Sequence, residues 1–149
     1  MIIGIGTDII EIARVERTLA RFGRRFLDRV FTAEEQARAA QTARPATVLA
    51  KRWAAKEACW KALGPGSKKG IAWHDFTVTS TSDGTPTLVL SGRAAERLRQ
   101  DTPAGGRARI DLSLSDERQF AVAFVVISAA PGPISVSYTH LRAHETTDN

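Results

Sequence analysis

The chain has 149 residues, of which 43% are hydrophobic and 25% are charged, as is typical of one globular domain with its own core. Its 21 basic and 16 acidic residues give a net charge of +5, and a basic surface indicates an anionic partner. One cysteine excludes a disulfide framework and a cysteine-rich zinc site. The apolar start, Met1–Gly6, is too short for a signal peptide, and no stretch approaches about 20 apolar residues. We therefore expect neither a secreted nor a membrane protein.

Hydrophobic periodicity predicts mainly helices in the first half of the chain and mainly strands in the second. Isoleucines around Gly4 and Gly6 predict a short buried strand. Gly23 ends or bends the first helix, and Thr32 with Glu35 forms a capping-box pattern. The predicted elements are a strand over 2–9, a helix over 11–22, helical segments at 24–30 and from Ala33, a helix over 45–63, strands over 76–79 and 86–90, a helix over 91–100, and strands over 109–114 and 120–127.

These elements predict one α+β domain over 1–128, in which a mostly antiparallel sheet packs against the long helix. The rest of the chain reads differently. Residues 129–133 are typical of a domain end, and 136–146 resemble the conceptual translation of a sequencing adapter. We predict a tail over 129–149, of which 136–149 is an assembly artefact. A natural disordered tail is the alternative.

The predicted long helix carries the densest group of chemically active side chains. Glu57 and Lys61 are four residues apart and share a face, while Arg52 and Lys56 follow on an adjacent face. One interpretation is a solvated helix with an ordinary Glu57–Lys61 ion pair. The other interpretation is an anion site. Several cations lie close to one carboxylate, and the adjacent glycine-rich loop over 64–70 offers backbone amides to an anion.

Three single residues have ordinary structural interpretations. Asp8 is placed to cap the following helix, Cys59 is expected to be packed and unreactive, and His74 is expected on the surface at a strand end. No Ser–His–Asp or Cys–His arrangement is present, and the loop over 64–70 lacks the Gly-Lys-Ser/Thr of a Walker A sequence.

Two segments, taken together, resemble the holo-acyl-carrier-protein synthases, which are small phosphopantetheinyl transferases. They are residues 4–11, Gly-Ile-Gly-Thr-Asp-Ile-Ile-Glu, and residues 53–61, Trp-Ala-Ala-Lys-Glu-Ala-Cys-Trp-Lys. The resemblance covers about residues 1–127. It implies transfer of the 4′-phosphopantetheine group from coenzyme A to a serine of apo-acyl carrier protein, with release of 3′,5′-ADP, in cytoplasmic fatty-acid biosynthesis. It also implies a homotrimer whose subunits share active sites.

The resemblance also implies roles for individual residues. Asp8 and Glu57 match the family's metal ligands, and two carboxylates suit Mg²⁺ that completes its shell with water and phosphate oxygens. Glu57 also helps to deprotonate the carrier serine, directly or through a water on the metal. Lys61 stabilises the charge of the pyrophosphate. The expected coenzyme A contacts are Arg52, Lys56, Lys61 and Gly64.

A row of arginines follows the first helix at steps of three and four, on the side away from its apolar stripe. Acyl carrier proteins are strongly acidic, so we expect this row to dock the carrier and to act mainly on association rate and selectivity. An ordinary exposed helix face is the alternative. The four residues are Arg14, Arg17, Arg21 and Arg24.

A small basic nucleic-acid-binding module is the competing hypothesis, motivated by the charge. It is disfavoured because the aromatic residues follow the apolar periodicity and do not alternate with the basic ones. A relative that binds the carrier without transferring the group is a third hypothesis, against which the intact Asp8, Glu57 and Lys61 argue. We expect no nucleic-acid or membrane partner. Asp116 stands where many family members have histidine, which leaves open any histidine contact to the nucleotide.

Overall fold

The structure is a computed structural model that describes residues 1–64 and 70–132. The predicted artefact over 136–149 lies outside these residues. The elements are β1 (Ile2–Glu11), α1 (Ile12–Phe22), α2 (Arg24–Val30), α3 (Ala33–Ala40), α4 (Pro45–Ala62), a 3₁₀ turn (Trp73–Asp75), β2 (Phe76–Ser80), β3 (Pro86–Leu90), α5 (Gly92–Asp101), β4 (Arg107–Glu117) and β5 (Phe120–Ala130).

Both sheets are antiparallel. One has the strand order β1–β5–β4, and the other is the β2–β3 hairpin. The predicted α+β class is therefore confirmed. β4 runs to Glu117, three residues beyond the predicted end at 114, and β5 starts at Phe120 as predicted, so the connecting turn is only 118–119. Within the described ranges, no helix has the length and apolar character needed to cross a membrane.

β1 lies directly against α4 because two glycines leave the inner face of the strand without side chains. A Cβ on Gly4 would lie 2.1 Å from the Ala62 carbonyl oxygen, and a Cβ on Gly6 would lie 1.9 Å from that of Ala58. Any larger residue would overlap the helix backbone, so this close approach requires glycine. Asp8 is the next residue on the same face of the strand, and the packing therefore brings it to α4.

The opposite face of this sheet is not covered by the residues that the structure describes. Ile5 and Ile9 are 60% and 61% exposed, and Phe124 of the neighbouring strand, opposite Thr7, is 45% exposed. The prediction of a buried first strand is wrong for these side chains. Alternation along the strand turns them outward, while Gly6 and the buried Ile10 face the core.

α4 is the centre of the core and packs against β1 and β5 of the sheet and against α1 and α3. The interpretation of this segment as a solvated helix is wrong, because most of its residues are buried. Cys59 is fully buried, which confirms its expected packing, and this burial raises the pKa of its thiol to about 12. The buried residues of α4 are Thr47, Leu49, Ala50, Arg52, Trp53, Ala54, Ala55, Lys56, Ala58, Cys59 and Ala62.

The start of α3 forms as predicted. Thr32 Oγ1 accepts a hydrogen bond from Glu35 N at 3.2 Å, and Glu35 Oε1 accepts one from Thr32 N at 2.8 Å. Asp8 does not cap α1, because β1 continues past it and the cap position is Glu11.

α5 is capped by a residue outside its own segment. Ser91 occupies the cap position but makes no side-chain cap bond. Asp75 Oδ2 instead accepts hydrogen bonds from Ala94 N and Ala72 N, each at 3.3 Å, and Ser91 N donates to Asp75 O at 2.8 Å. The 3₁₀ turn therefore holds the first turn of α5 in place.

Candidate active site

The edge where β1 meets α4 brings together residues predicted to carry the chemistry. Lys61 Nζ donates to Asp8 Oδ1 and to Thr7 O, each at 3.0 Å. The helical spacing predicted a Glu57–Lys61 pair and did not indicate this ion pair between Lys61 and Asp8. Glu57 is partly buried and directly precedes Ala58, whose carbonyl contacts the strand at Gly6. Asp8 and Lys61 are therefore in contact across the β1–α4 packing, and Glu57 lies one helical turn before Lys61 on α4.

The carboxylates at this edge fit a magnesium ion. Asp8 and Glu57 supply hard oxygen donors from two elements that the glycine contacts hold together. In the part of the chain that the structure describes, no cluster of three or more His, Cys, Asp or Glu residues could hold a metal. Magnesium commonly takes only one or two protein carboxylates and completes its shell with phosphate oxygens and water. The donor set therefore fits a metal that is shared with a phosphorylated ligand.

Lys56 does not lie where its predicted coenzyme A contact requires. Its side chain is fully buried, and its Nζ lies 2.7 Å from Glu35 Oε1. The same ammonium donates to Val30 O at 2.6 Å and to Trp73 O at 3.3 Å. Its three N–H groups therefore have three acceptors inside the protein, and this geometry leaves none for a phosphate. The helical spacing placed Lys56 beside Arg52 correctly but could not show that α3 covers this face.

Arg52 is also buried, but its guanidinium is incompletely hydrogen-bonded. Its Nε has no hydrogen-bond acceptor among residues 1–64 and 70–132. Burial lowers the pKa of the guanidinium, and the nearby Arg38 lowers it further, while Glu35 raises it. Arg52 and the buried Lys56 thus both lie near one carboxylate, Glu35, and a second guanidinium, that of Arg38, lies near Arg52. Such a group of cations favours an anion as an additional ligand.

Gly64 follows α4 with a φ of +90°, a left-handed conformation that suits glycine. Residues 65–69 of the adjoining loop lie outside the described residues. Arg97 Nη2 lies 3.5 Å from the position of a Cβ on Gly64, and the Arg93 guanidinium lies 3.4 Å from that of Gly70. Two arginines of α5 therefore flank the loop ends. The sequence pattern did not indicate them, because nothing local to α5 shows that it packs there.

The predicted arginine row is interrupted at Gly23, which adopts a φ of +54° and separates α1 from α2. Arg14 stacks over the Trp53 ring at 5.2 Å, and Arg21 lies 5.1 Å from the Phe22 ring. Arg17 pairs with Glu11 at 3.3 Å. These three arginines therefore remain on α1, and Arg14 reaches Trp53 of α4, one helical turn before Glu57.

Arg24 points away from the other arginines. It pairs with Asp28 at 3.1 Å and with Gln36 at 3.0 Å, toward α3. The next two arginines of α2, Arg25 and Arg29, line a cleft of about 440 Å³ instead. The pattern missed their position because the helix turns at Gly23. The cleft is lined by Thr18, Phe22, Arg25, Phe26, Arg29, Val30, Trp53 and Trp73.

Asp116 and His74 do not line this cleft. Asp116, in β4, forms an ion pair with Lys51 of α4 at 2.9 Å, so it ties the sheet to the helix. His74 lies at the surface in the 3₁₀ turn before β2, as predicted, with its Nε2 2.6 Å from Asp28 O.

Comparison with known proteins gives one consistent result. A sequence profile described as "4'-phosphopantetheinyl transferase superfamily" matches residues 4–125. The holo-[acyl-carrier-protein] synthase of Dinoroseobacter shibae is 56% identical over 131 residues, which is 88% of this chain and 94% of that protein. The crystal structure of the holo-[acyl-carrier-protein] synthase from Neisseria meningitidis is similar with a TM-score of 0.76 and 36% identity, over 86% of this chain and 99% of that one. The Bacillus anthracis synthase in complex with CoA (3',5'-ADP) is similar with a TM-score of 0.67 and 35% identity, over 85% and 96%.

Proposed function

This chain belongs to the 4′-phosphopantetheinyl transferase superfamily, and we propose that it acts as a holo-acyl-carrier-protein synthase. It transfers the 4′-phosphopantetheine group of coenzyme A to a serine of apo-acyl carrier protein and releases 3′,5′-ADP. The observation that carries this proposal is the Lys61–Asp8 ion pair across the β1–α4 packing, one helical turn after Glu57 on α4. We place the reaction in the cytoplasm, in fatty-acid biosynthesis, as the resemblance to the family implies.

The reaction needs positioning and charge neutralisation more than covalent help from the protein. The serine oxygen forms a bond to the phosphorus next to pantetheine, and the bond from that phosphorus to the oxygen of 3′,5′-ADP breaks. Glu57 accepts the serine proton, directly or through one water molecule. Asp8 and Glu57 are the residues that would hold Mg²⁺, which supplies Lewis-acid stabilisation of the phosphate charge.

Two cations complete the proposed site. The Lys61 side chain is 56% exposed, so its ammonium can turn from Asp8 toward a pyrophosphate oxygen, where it stabilises the charge of the leaving 3′,5′-ADP. Arg52 binds another phosphate of coenzyme A, supported by its incompletely hydrogen-bonded guanidinium. Gly64 offers a backbone contact to the same ligand. Lys56 is not part of this proposal, because Glu35 and two carbonyls occupy its ammonium.

The test of the transfer is the intact mass of apo-acyl carrier protein after incubation with the protein and coenzyme A. The expected result with Mg²⁺ is a gain of one phosphopantetheine group, which EDTA abolishes. Glu57→Gln should lower the rate by about 10²–10⁴-fold. Glu34→Gln, on the exposed face of α3, is the matched control and should retain the wild-type rate. A rate that is unaffected by both EDTA and Glu57→Gln would contradict the proposed site.

The basic surface formed by Arg14, Arg17 and Arg21 is the proposed docking site for the acidic carrier. The adjacent cleft places Arg25 and Arg29 around an apolar floor that includes Phe26, so it suits a carrier helix with acidic and apolar residues. Arg24, which the sequence grouped with this surface, faces α3 and is expected to contribute less.

Charge reversal tests this docking. Arg14→Glu with Arg21→Glu should raise KM for the carrier at least tenfold and leave KM for coenzyme A within twofold. Arg25→Glu should raise KM for the carrier more than Arg24→Glu does. Arg99→Glu, on the exposed side of α5, is the control for a change of net charge. Equal increases in both KM values, or an equal effect of Arg99→Glu, would contradict the docking surface.

We further propose a homotrimer that buries the uncovered face of the three-stranded sheet. Ile5, Ile9 and Phe124 form an apolar surface on this face that a second copy of the chain would cover. The measurement is sedimentation equilibrium of the wild type and of Phe124→Arg. A trimer that Phe124→Arg converts to a monomer is expected, whereas a monomeric wild type would contradict the assembly.

A further inference from the structure

Glu35 and Lys56 form a closed polar network inside the protein. Both side chains are fully buried, with Nζ 2.7 Å from Oε1. The Glu35 carboxylate also accepts from Thr32 N at 2.8 Å and from Val78 N at 2.6 Å. With the two carbonyls that Lys56 contacts, every N–H of the ammonium has an acceptor, and both carboxylate oxygens have donors.

Stability alone does not account for this pair. Removing two charges from water is unfavourable, and well-packed apolar residues of similar volume often stabilise a core equally well or better. A satisfied buried network instead fixes the mutual orientation of the segments that it joins. The role of the pair therefore depends on which segments it joins.

Five separate elements meet at this pair. Lys56 lies on α4, directly before Glu57. Its ammonium holds Val30 O at the end of α2 and Trp73 O in the 3₁₀ turn that follows the 64–70 loop. Glu35 adds α3, and its bond to Val78 N adds β2. Both carbonyls that the ammonium holds belong to residues that line the 440 Å³ cleft.

The Trp73 ring packs against α4 on both sides of Glu57. It contacts Trp60 with ring centroids 4.7 Å apart and planes at 77°, and Trp53 at 6.3 Å and 81°. Trp53 is four residues before Glu57 and Trp60 is three residues after it. Trp73 therefore contacts both tryptophans that flank the proposed catalytic carboxylate, together with Phe26 at Trp53 and Phe76 at Trp60.

We propose that the Glu35–Lys56 pair positions the transfer site, by holding Trp73 against Trp53 and Trp60 so that Glu57 keeps its orientation. Glu35 and Lys56 touch neither substrate, so they are positioning residues. The proposal rests on the transfer reaction proposed above. Loss of the pair should lower kcat for that reaction more than it changes KM for coenzyme A.

The experiment uses the double variant Glu35→Gln with Lys56→Met, which removes both charges and keeps side chains of similar length. The new amide side chain retains one carbonyl oxygen for a backbone N–H, both charges of the pair are removed together, and the nearby Arg52 keeps its charge. All three tryptophans of the chain lie in the affected cluster. Near-ultraviolet circular dichroism and acrylamide quenching therefore report directly on its packing, whether or not the enzyme turns over.

We expect a folded double variant with unchanged far-ultraviolet circular dichroism and a changed near-ultraviolet tryptophan band. Its kcat should be at least tenfold lower, and KM for coenzyme A should stay within twofold. The control Glu34→Gln with Arg99→Gln removes one acidic and one basic charge from exposed positions of α3 and α5 and should change none of these readings. An unchanged tryptophan band in the folded double variant overturns the positioning role whatever the activity, and an unchanged kcat overturns its link to transfer.

Trp73→Phe makes the aromatic side chain smaller but keeps the backbone carbonyl that Lys56 binds. This variant therefore tests the positioning role if the double variant does not fold. A kcat loss of at least threefold with KM for coenzyme A within twofold supports the positioning role. A wild-type kcat in Trp73→Phe overturns it. A wild-type protein without any transfer activity would instead refute the proposed function, and the tryptophan band would still test the packing.

Discussion

Two lysines of α4, five residues apart, pair with carboxylates at similar distances but in opposite surroundings. Lys56 lies 2.7 Å from Glu35, and both side chains are fully buried. Lys61 lies 3.0 Å from Asp8, and their side chains are 56% and 14% exposed. Burial makes the first pair rigid and unfavourable to break, whereas solvent makes the second weak and able to exchange partners. A fixed interior pair thus stands beside an exchangeable pair that is suited to a charged substrate.

The largest expected effect on stability comes from breaking the interior pair on one side. Lys56→Met leaves the Glu35 carboxylate buried without its cation, which should lower the free energy of unfolding by about 3–5 kcal/mol. Urea unfolding followed by circular dichroism measures this. If Lys56→Met lowers the unfolding free energy by less than about 1 kcal/mol, the Glu35–Lys56 pair contributes no more than an ordinary surface ion pair, and the proposed difference from Lys61 is wrong.

The glycine contact that sets the distance between β1 and α4 should be the next most sensitive. A Cβ at Gly6 would lie 1.9 Å from Ala58 O, so Gly6→Ala must push the strand from the helix. We expect a loss of about 1–3 kcal/mol in unfolding free energy. We also expect a lower kcat, since Asp8 follows on the same strand face. Thermal unfolding and the transfer assay measure the two effects, and wild-type values in both would show that the contact does not position the site.

Alkaline pH should lower the stability of the folded protein through Cys59, which lies on the buried side of α4. Its thiol pKa is raised from 9.0 to about 12 by burial, so between these values the unfolded chain loses the proton while the folded protein keeps it. The free energy of unfolding should therefore fall by about 1.4 kcal/mol per pH unit between pH 9 and pH 12, from this group alone.

Cys59→Ala removes this contribution, so the difference between wild type and variant isolates it from other titrating groups. Urea unfolding from about pH 8 to about pH 11, a range that spans the onset of thiol ionisation in the unfolded chain, gives both curves. Parallel curves would mean that the thiol is not shielded from water in the folded protein.

The smallest expected effect on stability comes from the exposed pair. Lys61→Met should change the free energy of unfolding by at most about 1 kcal/mol, because exposed ion pairs contribute little. The same variant should lower kcat by about 10²–10³-fold, since it removes a charge that stabilises the transition state. Thermal unfolding and the transfer assay separate these outcomes, and a loss of stability equal to that of Lys56→Met would refute the distinction between the two lysines.

Local signals in the sequence were sufficient for several elements. The Thr32–Glu35 pattern acts within one helical turn, and the structure has both of its hydrogen bonds. The contact of Asp8 with Lys61 is long-range, so only the resemblance to a family indicated that these residues belong to one site. Their roles as ligands and charge stabilisers stay predictions.

The sequence-based predictions failed where an element distant in the sequence determines the surroundings of a residue. The sequence placed Lys56 on a face with Arg52 but held no local sign that Glu35 would cover it. Ile5 and Ile9 have the composition of a buried strand, yet among the described elements α4 covers only the other side of their sheet. The sequence grouped Arg24 with the arginines of α1, but it pairs with Asp28 and Gln36 toward α3, because the helix breaks at Gly23, which has a positive φ.

The remote cap of α5 has a consequence for how the protein folds. Ser91 provides no side-chain cap, while Asp75 binds Ala94 N across 19 residues of chain. A ten-residue helix is too short to be stable alone in water. α5 should therefore gain its first turn only after the β2–β3 hairpin has closed and brought Asp75 within reach. The segment from Trp73 to Asp101 then orders as one cooperative unit, in which the hairpin precedes the helix.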